Sequence, residues 1–285
     1  MSVARILSTL AIIVAAFAWS DAAHAQSART WVQGTGLDTN PCSRTAPCKT
    51  FAQAYSQTVP GGEINCIDAG AFGGLTIAKA ITIDCEPTSN GGVVVTSGNG
   101  FTIAAAVVVN LRGLNINGEG TGAIGVSIVS AATVTIKNCK MYGWTTAGIQ
   151  FAPSASGGSL IVSQSVVSNN AAGIVQNGTG GVANMLVQDS VISNNSQEGI
   201  FVQTSGSHSG ATIDRTTLAF NPGYGLAVNG NGAIAIIGGS TVASNGIGVS
   251  AQNSGVLQSF KDNRIGGNSF GDGTPINAYP GGPLN

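Results

Sequence analysis

Side chains that could carry out acid–base chemistry are few in this 285-residue chain, because Asp, Glu, Lys and Arg together make up only 8% of it. Asp189, Asp214 and Arg215 stand out, since Asp214 and Arg215 follow Asp189 by 25 and 26 residues. Two carboxylates beside a guanidinium could bind or protonate a polar substrate. The same residue types also form ordinary exposed ion pairs, and we favour that simpler interpretation.

Four more side chains are candidates by type and position. Glu198, in the stretch N-N-S-Q-E-G-I, is a candidate catalytic acid, although the neighbouring repeats have no acidic residue at that place. Lys137 belongs to the same predicted outward row as Asp214. Trp144 and Tyr224 could stack against a ligand, or could simply cover the edge of the fold. Without a Cys/His cluster or an adjacent pair of acidic residues, we expect no metal and no cofactor.

The elements that must position these residues come from an internal repeat of 23 to 26 residues, seen in SLIVSQSVVSNNAAGIVQN and NMLVQDSVISNNSQEGIFVQ. A central apolar column comprises Leu111, Ile136, Val162, Val187, Ile213, Ile237 and Phe260. A second apolar column, five positions later, comprises Ile116, Met141, Val167, Ile192, Leu218, Val242 and Ile265. Repeats that bury their apolar face only against neighbouring repeats need such aligned columns.

Two polar columns accompany the apolar ones. One is a column of asparagines: Asn170, Asn195, Asn221, Asn245 and Asn268. Stacked Asn side chains can each donate to the next and accept in turn, so we predict a structural ladder. The other column is small and mostly hydroxylated: Cys139, Ser165, Ser190, Thr216 and Ser240.

Each repeat holds two or three short segments of alternating polar and apolar residues, without a helical pattern. About 25 residues are too few for a propeller blade, and the Leu and Asn signature of a leucine-rich repeat is missing. We therefore predict an all-β solenoid in which each repeat forms one coil.

Residues 1–25 read as an export signal, with an apolar run that ends near an Ala-x-Ala cleavage site at Ala23–Ala25. The run is too short to span a membrane, and we expect no later span. The chain has 11 basic and 12 acidic residues, so we expect no nucleic-acid partner. A secreted or periplasmic location in a bacterium follows from these features.

The five cysteines would enter an oxidising compartment, where disulfides persist. Cys42 and Cys48 bracket a tight loop and are the first expected pair. Cys66 and Cys85 occur in successive strand-like segments, whose spacing of about 4.8 Å would suit a second disulfide. Cys139 then remains as a free, structural thiol.

The repeats, together with the opening P-C-K-T-F-A-Q-A-Y-S-Q-T-V-P-G-G-E-I-N-C-I-D-A-G-A-F, resemble right-handed parallel β-helix proteins of the pectin-lyase-like superfamily. The resemblance implies a short capping helix at about 50–57 within an N-terminal segment 26–60. It places the β-helix at 61–270 and leaves a Pro- and Gly-rich tail at 271–285.

The resemblance also implies a polysaccharide partner, met in a groove on the outside of one sheet. Glu198 stands where polygalacturonase-like enzymes carry an Asp, but the adjacent Asp pair, Gly-His-Gly and Arg-x-Lys of those enzymes are absent. We therefore expect a non-catalytic surface or polysaccharide-binding protein. The alternative is a polysaccharide-active lyase, hydrolase or esterase, and the oligomeric state stays open.

Overall fold

The computed structural model of the chain describes residues 26–88, 91–130, 133–154, 157–204 and 208–280. Within these ranges the chain is an all-β parallel β-helix, and its typical coil contributes one strand to each of three sheets. The predicted export signal lies outside the described residues. No helix in the described part of the chain is long and apolar enough to cross a membrane.

In the described residues, sheet 1 has eleven strands, and all of their pairings are parallel. Its strands are β1 Ser27–Val32, β2 Thr58–Cys66, β4 Ile81–Asp84, β7 Val108–Arg112, β10 Thr133–Lys137, β13 Gly158–Ser163, β16 Val182–Gln188, β19 His208–Asp214, β22 Ala233–Gly238, β25 Val256–Ser259 and β27 Asn277–Ala278. Along each strand alternate side chains point inward, which leaves an outer row that is free to vary.

Sheets 2 and 3 each have eight strands within the part of the chain that the structure describes. The short strands of sheet 2 are β5 Gly92–Val94, β8 Asn115–Asn117, β11 Lys140–Tyr142, β14 Val166–Ser168, β17 Val191–Ser193, β20 Thr217–Ala219, β23 Thr241–Ala243 and β26 Arg264–Gly266. The strands of sheet 3 are β3 Leu75–Ile77, β6 Asn99–Ala104, β9 Ile124–Ser130, β12 Ala147–Phe151, β15 Ala172–Gly178, β18 Ile200–Thr204, β21 Tyr224–Asn229 and β24 Ile247–Gln252.

The interior consists of columns of apolar side chains, as the repeat predicts. Strand pairing aligns the second predicted column from Ile116 to Ile265 without a break. The central column is confirmed from Leu111 to Ile237, but its last member is wrong, because Ser259 rather than Phe260 pairs with Ile237. The Phe260 ring packs instead on Tyr279, with ring centroids 5.6 Å apart.

The first end of the stack is covered by helix α1, Phe51–Gln57. Thr50 caps its first turn by accepting a hydrogen bond from the Gln53 amide, and Phe51 is buried. At the other end of α1, the Lys79 ammonium donates to the carbonyls of Tyr55 and Thr58. Burial lowers the pKa of Lys79.

The two predicted disulfides are present, Cys42 with Cys48 and Cys66 with Cys85. Sheet 1 starts earlier than the predicted residue 61, because β1 already pairs with β2. At the far end β27 pairs with β25, so the part of the tail that the structure describes continues sheet 1.

Candidate functional site

The outer face of sheet 1 carries a shallow hollow of about 550 Å³, here called the sheet 1 depression. Its lining includes Ile161, Leu186, Gly210, Thr212 and Ile236. Gly210 has no side chain in this lining: a Cβ built there would meet the Asn184 side-chain oxygen at 3.1 Å, so a larger residue would enter the hollow once the Asn184 side chain shifts slightly. Sequence alternation predicts that these side chains point outward, but not that they surround a hollow.

A cluster of three charged residues lies where β16 and β19 run into the turns that lead to sheet 2. The Arg215 guanidinium makes two hydrogen bonds to the Asp189 carboxylate, Nε to Oδ1 at 2.7 Å and Nη2 to Oδ2 at 3.0 Å. It also pairs with the Asp214 carboxylate. The structure therefore brings together the three residues singled out by their spacing.

The cluster has a backbone cause. The residues that begin these turns all have a left-handed conformation: Gly113, Asn138, Gln164, Asp189, Arg215 and Gly239. Asp189 and Arg215, with φ of 50° and 44°, thus occupy the same place in adjacent coils. Coils repeat at about 4.8 Å, which brings the two side chains within reach of each other.

The electrostatics of the cluster bear on acid–base chemistry. Hydrogen bonding to the Arg215 guanidinium holds the pKa of Asp189 below the ordinary value of an aspartate. The same hydrogen bond raises the pKa of Arg215. A general acid for glycoside cleavage needs a carboxyl group whose pKa is raised, so Asp189 has the opposite tuning.

Two further candidates lie apart from this cluster. Lys137 is 3.9 Å from the Glu86 carboxylate, at a 3₁₀ turn that follows β4. Glu198 stands in the turn before β18, where its backbone carbonyl accepts a hydrogen bond from the Gly173 amide.

The two aromatic candidates, Tyr224 and Trp144, differ in how far their rings are exposed. Tyr224 is half-buried, and its hydroxyl accepts a hydrogen bond from the Gln252 side chain at 2.9 Å. Trp144 cannot be a stacking platform, because only 2% of it is exposed. Its ring lies inside the coil against Gly118, Gly122 and Gly125, where a Cβ would come within 3.0 Å of the indole. These glycines were the sequence signal for a buried ring.

The asparagine column forms a continuous chain of hydrogen bonds beneath the turns between sheets 2 and 3. Each side-chain amide donates to the side-chain oxygen of the next Asn, at 2.9 to 3.1 Å, from Asn170 through Asn268. Each side-chain oxygen also accepts the backbone amide of the preceding rung. Trp144 stands at the first rung and donates its backbone amide to Asn170.

The hydroxyl column plays a similar part beneath the turns between sheets 1 and 2. The backbone amides of Cys139 and Ser165 donate to the hydroxyls of Ser165 and Ser190, at 3.1 and 3.2 Å. Cys139 is buried, and burial raises the pKa of its thiol to about 12. The thiol therefore stays protonated and unreactive at neutral pH.

Comparison with known proteins adds a family and a fold. A family model described as "Periplasmic copper-binding protein (NosD)" matches residues 83–282. No curated protein sequence gives a significant match. The crystal structure of pectate lyase Pel9A superposes with a TM-score of 0.59 at 17% sequence identity, covering 85% of this chain and 71% of that one. At this identity the likeness concerns the fold.

Copper binding by this chain would require suitable side-chain donors close together. Protein copper sites use thiolate, thioether and imidazole donors. Outside the disulfides, the described donors of these types are Cys139, Met141, Met185 and His208, of which the first three are buried and His208 is exposed. The described residues include no group of three or more His, Cys, Asp or Glu side chains that could hold a metal ion. The described part of the chain does not fit a copper centre.

Proposed function

The chain belongs to the NosD family of periplasmic proteins, and we propose that it is an exported, non-catalytic β-helix protein that binds polysaccharide on the outer face of sheet 1. A periplasmic location suits the two disulfides, which persist only in an oxidising compartment. The fold alone decides neither binding nor catalysis, because parallel β-helices host both.

One observation carries the proposal: the sheet 1 depression lies beside a cluster whose single guanidinium, Arg215, is already paired with two carboxylates. The aliphatic floor, with Ile161 and Leu186, offers contact to the apolar face of a sugar ring. At the rim, Ser159 and Asn184 offer hydrogen bonds to hydroxyl groups. Apolar and polar groups in one open hollow suit an amphipathic polymer.

The same cluster argues against turnover. Asp189 and Asp214 share one guanidinium, so the cation that would meet a substrate carboxylate is already paired. A retaining or inverting hydrolase would also need one carboxyl group that stays protonated near neutral pH. Asp189, whose pKa is lowered, does not meet that need.

The test combines a binding assay with a product assay on mature protein, residues 26–285. The protein is titrated calorimetrically with a panel of plant, algal and bacterial polysaccharides, and the same mixtures are separated by chromatography. We expect binding without released oligosaccharide. Products from any polysaccharide would overturn the non-catalytic proposal.

A steric variant locates the site. Gly210→Val adds a side chain inside the sheet 1 depression, with a small shift of the Asn184 side chain, and we expect it to weaken binding about tenfold or more while the variant still folds. The matched control is Gly266→Val on sheet 2, where a Cβ meets nothing within 4 Å. Equal binding by the two variants would show that the polysaccharide does not bind in the sheet 1 depression.

A further inference from the structure

A second outer surface of the molecule has features that the proposed function does not use. It follows the turns between sheets 2 and 3, above the asparagine ladder, and we call it the turn-edge groove. Its members are Gly120, 143–145, 169–171, Asn194, Ser196, Phe220, Pro222, 244–246, Ser269 and Phe270. Two hollows make up the groove, one of about 490 Å³ and one of about 320 Å³.

Phe220 combines an exposed aromatic ring with an unfavourable backbone conformation. It is 60% exposed and has a φ of 58°, in the left-handed region that a bulky side chain avoids. At the same place the two preceding coils have Asn169 and Asn194, and the following coil has Ser244. Asn in particular tolerates this backbone, and neither residue type exposes an apolar ring.

A second aromatic ring lies farther along the same groove. Phe270 is 80% exposed and lines the 320 Å³ hollow together with Phe220 and Pro222. The two phenylalanines belong to turns two coils apart, which corresponds to about 10 Å along the axis. Between them the lining is small, with Ser244 and Gly246.

The other half of the groove is polar. Asn169 and Asn194 are exposed and line the 490 Å³ hollow with Thr145 and Ser196. Their side-chain amides are about 5 Å apart along the axis, one coil spacing. Amide and hydroxyl groups therefore lead, coil by coil, to the two rings.

The lining of both hollows contains no charged side chain. A nucleic acid, which could also stack on aromatic rings, would need basic residues to meet its phosphates. A uronate polymer would likewise need cations for its carboxylates. Neutrality of the lining thus matches an uncharged ligand that has both apolar faces and many hydroxyls.

We propose that the turn-edge groove binds a neutral, linear glycan that runs parallel to the axis of the β-helix. Phe220 and Phe270 stack on sugar faces, and Asn169 and Asn194 hydrogen-bond to hydroxyls. The groove spans seven turns, or about 29 Å, so an oligosaccharide of several sugars is the ligand rather than a monosaccharide. This site is separate from the sheet 1 depression and does not depend on it.

The test uses mature protein, residues 26–285, and calorimetric titration with cellohexaose, xylohexaose, mannohexaose and laminarihexaose, with an oligogalacturonate as the charged comparison. Phe220→Asn introduces the residue that the preceding coils carry, so the variant should fold; Phe270→Ser removes the second ring. We expect each to weaken binding of a neutral hexasaccharide about tenfold. The matched control is Leu37→Ser, a residue that is also 60% exposed, outside the groove.

Each outcome decides the matter. Loss of binding in Phe220→Asn and Phe270→Ser, but not in Leu37→Ser or Gly210→Val, supports the groove even if the sheet 1 proposal fails. Equal binding by wild type and both Phe variants overturns the groove, as does the absence of neutral-glycan binding in the wild type. A change in solution mass in the Phe variants would show that the rings meet a second copy of the chain, and would also overturn it.

Discussion

The two turns that flank sheet 2, one arriving from sheet 1 and one leading to sheet 3, both begin with a left-handed residue but differ in their chemistry. Both present a column of left-handed residues to solvent, and both lie over a buried ladder of hydrogen bonds. The first column includes Asp189 and Arg215, which neutralise each other. The second includes Asn194 and Phe220 and carries no charge.

The comparison indicates that the buried ladders stabilise the turns, whereas the outer columns determine the chemistry of the surface. Ser190 and Asn195 satisfy the backbone of the turns from within, so the residue above each can change without altering the path of the chain. One side of sheet 2 therefore has a charged rim and the other has a neutral groove. The two edges of sheet 2 therefore suit ligands of different chemistry.

The largest expected effect comes from breaking one ladder and sparing the other. Asn195→Ala removes hydrogen bonds to Asn170 and Asn221 and leaves buried backbone groups unpaired, so we expect the free energy of unfolding to fall by about 1–3 kcal/mol. Ser190→Ala removes one shared hydroxyl and should cost about 1 kcal/mol. Urea denaturation measures both.

The control for the ladder experiment is Asn194→Gly, which removes an exposed side chain whose described partner is the Ser193 hydroxyl at 3.4 Å and keeps a residue type that accepts the φ of 55°. It should leave the free energy of unfolding nearly unchanged. An Asn195→Ala curve that coincides with this control would contradict the structural role of the ladder.

A smaller effect of opposite sign is expected at the aromatic end of the second column. Phe220→Asn relieves a bulky residue from a left-handed backbone, and we expect the free energy of unfolding to rise by about 1 kcal/mol. Thermal unfolding of the variant beside Leu37→Ser measures the change. A clear loss of stability would mean that the Phe220 ring packs on the fold rather than facing solvent.

The smallest effect on stability is expected in the charged column, and its clearest readout is a pKa. Arg215→Met should raise the pKa of Asp189, because the guanidinium that lowers it is gone. A carboxylate whose folded pKa is depressed stabilises the protein above its unfolded pKa, and that contribution is lost as pH falls through the folded pKa. The stability gap between wild type and variant should therefore be present at neutral pH and vanish in strong acid.

Carbon-13 NMR of the side-chain carboxyl groups follows that titration residue by residue. Lys137→Met is the matched control, since it removes a cation that faces Glu86 instead. An Asp189 pKa that is the same in wild type and Arg215→Met would contradict the prediction that Arg215 lowers the pKa of Asp189.

Much of the stack was predictable because the same types of residue recur at a nearly constant spacing along the chain. The apolar columns, the asparagine positions and the disulfide partners Cys66 and Cys85 follow from which residues recur and which strands neighbour. Coil spacing then brings Asp189 next to Arg215. Such inferences need only a period and a strand spacing.

What the repeat could not predict depends on departures from it. Trp144 occupies a ladder position, yet it is buried because four glycines around it, Gly100, Gly118, Gly122 and Gly125, leave room for an indole. Phe260 leaves the central column in the last full coil, where Tyr279 of the tail offers another packing surface. The significance of Phe220 appears only once the backbone angle of its column is known.

Both disulfides lie in the first coils, within residues 42–85, while the rest of the stack is held by noncovalent contacts between neighbouring coils. We therefore expect opening of the molecule to be directional, with coils separating first at the C-terminal end and a protease cleaving that end first. The turns of Phe220 and Phe270 belong to the coils that open early. A glycan bound across them would bridge coils where no disulfide does, and would slow the trimming.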